Sequence, residues 1–298
     1  MSQPKTNRAR IEVQAWPGLA ISIALQMVVS VDEVPGVGED FAALGHNISS
    51  SLADSILVFL LASMPSALTD LSLQQQTTDL EPEEYLDWIE SLDAMELASQ
   101  AGACDREEAC HRREAIRSPE APEWESPTAW LHAMASEEQL ARVRLLLEDP
   151  ASLKRLTTDV LRSFWVNHFR AIYVRHRKDV SRAIEEVRRH EGLTELPALL
   201  KRLLGRPIEH AEEWVDYPGR VVLVPFPFMG PYLMSMTFDE PEQALILAFD
   251  AKRAMGLQVA GEIGPDLARL KALADETRLK ILRFVSESER FGGISLLT

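Results

Sequence analysis

Arg220-Val-Val-Leu-Val-Pro225, Pro231-Tyr-Leu-Met-Ser-Met-Thr-Phe238 and Gln243-Ala-Leu-Ile-Leu-Ala-Phe249 are three short β-prone runs set apart by turn residues. Each fits a single strand in length, and their closeness in sequence predicts a small antiparallel sheet near residues 220–250. Proline has no amide proton to give a ladder, so Pro225 and Pro227 are expected at edges or ends. Phe226, Phe228, Met229, Tyr232, Met234, Met236 and Phe238 gather aromatic and thioether side chains around the two turns. The ordinary reading of such residues is core. The functional alternative is an apolar ligand pocket formed by Phe226, Phe228, Tyr232, Met234 and Met236, in which a small apolar effector sits between this sheet and a long helix.

That helix is expected from about Ser152 to His190, with a bend. Leu153, Leu156, Val160, Phe164, His168, Ile172, Val180, Ile184 and Val187 keep near-helical spacing over this length. A shorter helix follows from Glu195 to Leu204, closed by Gly205. Upstream, Arg10 to Ala15 alternates apolar and polar residues as a short strand does, and Pro17-Gly18 starts a helix to about Val31. Ser51 to Ser63 is apolar on nearly every face, so that helix should be deeply buried. Glu81-Pro82-Glu83-Glu84 starts another helix, with Leu86, Ile89 and Leu92 on one side. Helix resumes near Ser136, after a Pro-rich loop from Ser118 to Pro127. The expected class is therefore mostly α with a small sheet, an α+β fold.

The chain has 298 residues, 46 of them acidic and 31 basic, for a net charge of −15. Affinity for nucleic acid comes mainly from Lys and Arg neutralising phosphates, so this balance argues against the whole surface as a DNA binder. The basic residues of the long helix (Arg170, Arg175, Arg177, Lys178, Arg182, Arg188 and Arg189) alternate with Asp179, Glu185 and Glu186. A segment from Asp79 to Glu125 rich in Asp and Glu offers them an internal complement, and a salt-bridged face is the expected outcome. Two cysteines are too few for a disulfide scaffold and fit a reducing cytoplasm. The apolar run Leu19–Val31 lacks a small-residue cleavage site, and Ser55–Met64 is too short for a bilayer; neither export nor a membrane span is expected.

Chemistry-bearing motifs are sparse. Cys104-Asp105 and Cys110-His111 lack zinc-site spacing, so no metal is expected, and His168 and His176 lie too far apart on one helix for shared ligation. Gly36-Val-Gly38 lacks the third glycine of a dinucleotide loop. There is no Walker loop, His-Glu-x-x-His pair or Gly-x-Ser-x-Gly elbow. An enzyme is not expected, nor is a cofactor.

One stretch near the end is more specific. Leu267, Leu270, Leu273 and Ala274 form an apolar stripe, and Asp275 is suited to ending one helix and capping the next. Leu279, Ile281, Leu282 and Val285 then supply a second buried face. The pattern Leu270-x-x-Leu273-Ala274-Asp275-x-x-Arg278-x-x-Ile281-Leu282 resembles the first two helices of the ArsR-type winged-helix regulators, departing at Glu276, where proline is common. The resemblance covers about twenty residues. It implies a winged helix-turn-helix, a homodimer and double-stranded DNA as partner. Ser286 to Thr298 is too short for a recognition helix and wing, so the module is expected to be incomplete, with DNA binding impaired. The expected organisation is a helical sensor or interaction domain over 1–262, holding the small sheet, followed by the partial winged helix over 263–298. The competing reading is a helical ligand-binding or interaction module without DNA-binding activity.

Overall fold

The computed structural model describes residues 10–29, 37–103, 135–190, 195–205, 208, 211–230, 232–238 and 243–256. All of them belong to the unit Met1–Leu257. The motif Leu270 to Val285, the boundary near 262, the Cys104–His111 group and the Ser118–Pro127 loop lie outside the described residues.

The chain opens with β1 (Arg10–Val13) and α1 (Pro17–Val29) and continues through α2 (Glu39–Asn47), α3 (Ser50–Leu61), α4 (Met64–Gln74), α5 (Pro82–Ser91) and α6 (Ala94–Ala103). Next come α7 (Glu137–Glu148), α8 (Pro150–Phe164), a π-helical turn over Trp165–Phe169, α9 (Arg170–His190) and α10 (Leu196–Leu204). The unit finishes with a 3₁₀ turn at Ala211–Trp214, β2 (Arg220–Phe226), β3 (Leu233–Phe238), β4 (Ala244–Asp250) and the single turn α11 (Ala251–Ala254).

Several starts follow from local chemistry. The Ser136 hydroxyl accepts from Gln139 N while the Gln139 side chain reaches back to the Ser136 amide, a capping box that begins α7. Asp149 accepts from Ser152 N, and Pro150 then sits in the first turn of α8, where its missing amide costs nothing. Gly205 ends α10 in the left-handed region at φ 70°, as expected. The helices α2, α4 and α6 and the single turn α11 were not anticipated. The stretch expected as one helix over Ser51–Ser63 ends at Leu61, and α4 follows directly; α2, short and polar outside Phe41 and Leu44, carries little periodic signal.

The sheet is mixed, which corrects the antiparallel expectation. Its order is β1-β2-β4-β3: β1 and β4 both flank β2 in parallel, and only β3 runs antiparallel, on β4. The reason lies in burial. Val221 to Phe226 and Ala244 to Phe249 are buried on both faces, and strands apolar at every position are the mark of parallel inner pairing rather than of a one-sided meander. Pro225 is tolerated in this inner strand because β1 has already ended. Gln14 N donates to Leu223 O at 3.2 Å, so the β1-facing side of β2 falls at 223 and again at 225, where no strand remains to be bonded.

Alternation sorts the sheet residues between two cores. Val222, Val224, Phe226, Ile246 and Ala248 face a large core shared with α1 to α8 and the π turn. Val221, Leu223, Leu245, Leu247 and Phe249 face a smaller one, with Val13, α10 and Val180, Ala183 and Val187 of α9. Helix α9 serves both, since Tyr173 belongs to the first core and Val180 to the second. Among the described residues no single helix is long and apolar enough to cross a membrane; α2 and α3 pass a length and composition test only as a pair bent by 105°.

Candidate functional site

The long helix changes cores beside the loop that follows β2, and there the rings collect. Midway along this helix lies the π turn, closed by Arg170 N donating to Trp165 O. An i→i+5 turn brings side chains five apart nearly into line, and Phe164 and Phe169 stack with centroids 5.4 Å apart and planes 16° apart. Phe228, two residues past β2, meets Phe41 of α2 at 5.1 Å in a stacked pair. It meets Phe169 at 5.8 Å and Phe226 at 5.5 Å, both edge to face. Such pairs add to the stabilisation from area alone, about 0.5–1.5 kcal/mol each.

Of the pocket residues expected from sequence, the structure brings Phe226 and Phe228 together and surrounds them with partners. They are 0% and 1% exposed, so a ligand would reach them only by displacing side chains packed around them. Met234 and Met236 are half-buried on β3, and with Tyr232 they pack against the margin of the same core.

His176 is the polar member of this cluster. It presents its ring edge-on to Phe228 at 5.2 Å and an interplanar angle of 89°. Nε2 lies 3.3 Å from Asp40 Oδ2, and Nδ1 lies 3.2 Å from Asp179 Oδ2. Arg175 Nη1 donates to the same Asp40 oxygen at 2.6 Å. The Arg175 hydrogen bond, with help from His176, holds the Asp40 carboxyl below the usual carboxylate range. A neutral imidazole donates through one nitrogen only, so both contacts are hydrogen bonds only when both nitrogens carry protons. The link of His176 to Asp40, across a separation of more than a hundred residues, has no local signal in the sequence.

The basic face of the long helix is largely satisfied from within. Arg170 pairs with Glu83, Arg175 with Asp40, Arg177 with Glu81 and Arg189 with Glu186. Arg162 of α8 joins Asp87 and Glu90. Glu81 and Glu83 at the start of α5 thus supply the complement of Arg177 and Arg170, and Asp87 and Glu90 of the same helix that of Arg162.

A second buried polar group closes the far end of the sheet. Asp250, 1% exposed, accepts from Gly230 N at 2.9 Å and, through its other oxygen, from Lys252 N and Arg253 N. Burial pushes its carboxyl up, partly offset by these three amides. Its role is to tie the loop after β2 to the start of α11. No group of three or more His, Cys, Asp or Glu able to hold a metal occurs among the described residues. No protein-family model matches the chain, and no match was found among curated proteins or among solved structures.

Proposed function

We propose that this chain is a DNA-binding transcription regulator of the ArsR type, with the unit Met1–Leu257 as its sensor or interaction module. The observation that carries the reading is the run Leu270-x-x-Leu273-Ala274-Asp275-x-x-Arg278-x-x-Ile281-Leu282. The ion pairs of α9 support the division of labour. With Arg170, Arg175, Arg177 and Arg189 joined to carboxylates, the helix offers a poor phosphate track, and DNA contact falls to the segment after residue 257. The proposal includes a cytoplasmic homodimer, neither enzyme nor cofactor carrier. Its effector, if apolar, enters beside Tyr232, Met234 and Met236 rather than at the buried, edge-to-face Phe226–Phe228 pair.

The test is selection of genomic DNA fragments by the protein as its own gene encodes it, followed by footprinting. The expected result is an inverted repeat with half-sites about 10–10.5 base pairs apart. Selectivity should be lost in Leu273→Asp and Leu282→Asp, while the melting of the unit Met1–Leu257 stays unchanged. Retention of no fragment above random DNA at low salt would overturn the proposal and leave the interaction-module reading in its place.

A further inference from the structure

Helix α2 presents a ring and a carboxylate to the aromatic cluster from two consecutive residues. Phe41, fully buried, stacks on Phe228 with centroids 5.1 Å and planes 19° apart, and it meets Phe169 edge to face at 6.4 Å. Asp40, the residue before it, accepts from Arg175 Nη1 at 2.6 Å and lies 3.3 Å from His176 Nε2. The ring thus ends in an apolar slot, and the carboxylate ends beside a guanidinium and an imidazole. The acid end is half open to water, with the Asp40 and Arg175 side chains 45% and 59% exposed. Little else holds α2 down. Of its nine residues only Phe41 and Leu44 are buried, against eleven of thirteen in α1. Elements with so little buried apolar surface are the ones that open locally at the lowest cost.

We propose that Asp40 and Phe41 stand in for a ligand, and that the place they fill is a site for a small aromatic carboxylic acid that competes with α2. The seated pair of side chains selects this chemistry. A planar ring is needed to lie on the face of Phe228 and meet Phe169 at its edge, a geometry that an aliphatic group of the same bulk does not reproduce. An anion is needed at the other end, where Arg175 and His176 otherwise lose the carboxylate they share. Asp179 lies 3.2 Å from His176 Nδ1 and keeps Nε2 turned towards that place when Asp40 withdraws. The ligand enters from the exposed acid end. Its binding and the docking of α2 exclude one another, so each weakens the other by the same factor. The site does not use Tyr232, Met234 or Met236, and the inference holds whether or not the DNA-binding reading does.

Isothermal calorimetry of the full chain with 3-phenylpropionate tests it, with hydrogen exchange read on the same samples. The wild type should bind weakly, because its own side chains compete, and Phe41→Ala should bind at least about tenfold tighter. The alcohol 3-phenylpropan-1-ol keeps the ring and lacks the charge; Phe41→Ala should bind it about tenfold more weakly than the acid. Phe41→Ala/Arg175→Gln should lose the gain in affinity for the acid. In the wild type, excess acid should speed exchange of the amides of 41–47, whereas a compound held elsewhere on the surface leaves them as they were. Equal affinity of Phe41→Ala for acid and alcohol would mean a plain apolar cavity and would overturn the proposal. So would slower or unaltered exchange of 41–47, or no binding by either protein. Should Phe41→Ala fail to fold, Asp40→Asn decides: it keeps the ring, weakens the hold of α2, and should bind the acid about threefold tighter than the wild type. Unchanged affinity there sinks the idea. Leu273→Asp and Leu282→Asp should bind the acid as the wild type does, which separates its failure from failure of the DNA-binding reading.

Discussion

The two cores on either side of the sheet solve the same packing problem with different side chains. The larger is aromatic: Trp16, Phe41, Phe59, Tyr85, Phe164, Trp165, Phe169, Phe226 and Phe228 are all at most 2% exposed. The smaller is aliphatic, with Leu199, Leu200, Leu203, Leu204, Leu245 and Leu247 around a single fully buried ring, Phe249. Rings demand specific neighbours and angles; leucines on a regular helix fill space by repetition. The aromatic core therefore concentrates its sensitivity in a few residues, and the π turn is the backbone adjustment that lets its rings stack.

The largest effect is expected where most rings meet. Phe228→Ala should destabilise the unit by about 3–5 kcal/mol in urea unfolding, since four rings lose their common partner. Leu200→Ala, fully buried in the aliphatic core, should cost about 2–4 kcal/mol. An aliphatic loss as large as the aromatic one would break the contrast. Gly18→Ala probes the tightest contact of the first core, because a Cβ there would lie 2.4 Å from Tyr85 Cε2 in a fully buried ring. The expected penalty is about 1–3 kcal/mol, and Tyr85→Leu should relieve part of it in a double-mutant cycle.

Titration sharpens the comparison, because the two polar groups at the margins of the cores have opposite signs. Asp250 has its carboxyl raised by burial, so its folded form holds a proton more firmly than the unfolded one. Its contribution is fully present below the ordinary aspartate range near about 3.9 and is lost as pH rises through the higher folded value. Asp250→Asn should therefore compare worst with the wild type in acid and better towards neutrality. Asp40 is lowered, chiefly by Arg175, so its contribution is present above the ordinary range and lost as pH falls through its depressed value. Arg175→Gln should flatten that acid limb. This is the smallest effect, below about 1 kcal/mol, because both partners of the pair are roughly half exposed.

Much of this architecture is legible residue by residue. The helix from Ser152 to His190 appears because apolar residues recur at the right spacing, and Gly205 marks where α10 stops. The strands at 220, 233 and 244 appear because β-prone runs alternate with turn formers. What sequence reasoning missed is long-range. Adjacency in the chain suggests that β2 pairs with β3, whereas burial on both faces of β2 and β4 puts those two together. The unbroken apolar character of Val221–Phe226 and Ala244–Phe249 was the available clue. The Asp40–His176–Asp179 bracket left no clue, since a lone aspartate and a histidine far along the chain show no shared period. Of the residues grouped from sequence as a pocket, Phe228 meets Phe41 and Phe169, which stand on elements that show no link to it in the sequence.

One pairing bears on how the molecule is made. Arg10 stands opposite Arg220, so the first strand must wait for almost the whole unit to leave the ribosome before it gains the one strand that neighbours it among the described residues. Non-local closure of this kind is slow, because chain entropy is spent long before the contact that rewards it. During synthesis α1, whose residues are almost all destined for burial, emerges ahead of the surfaces that will cover it. A nascent chain stalled before residue 220 is therefore the form most in need of a chaperone.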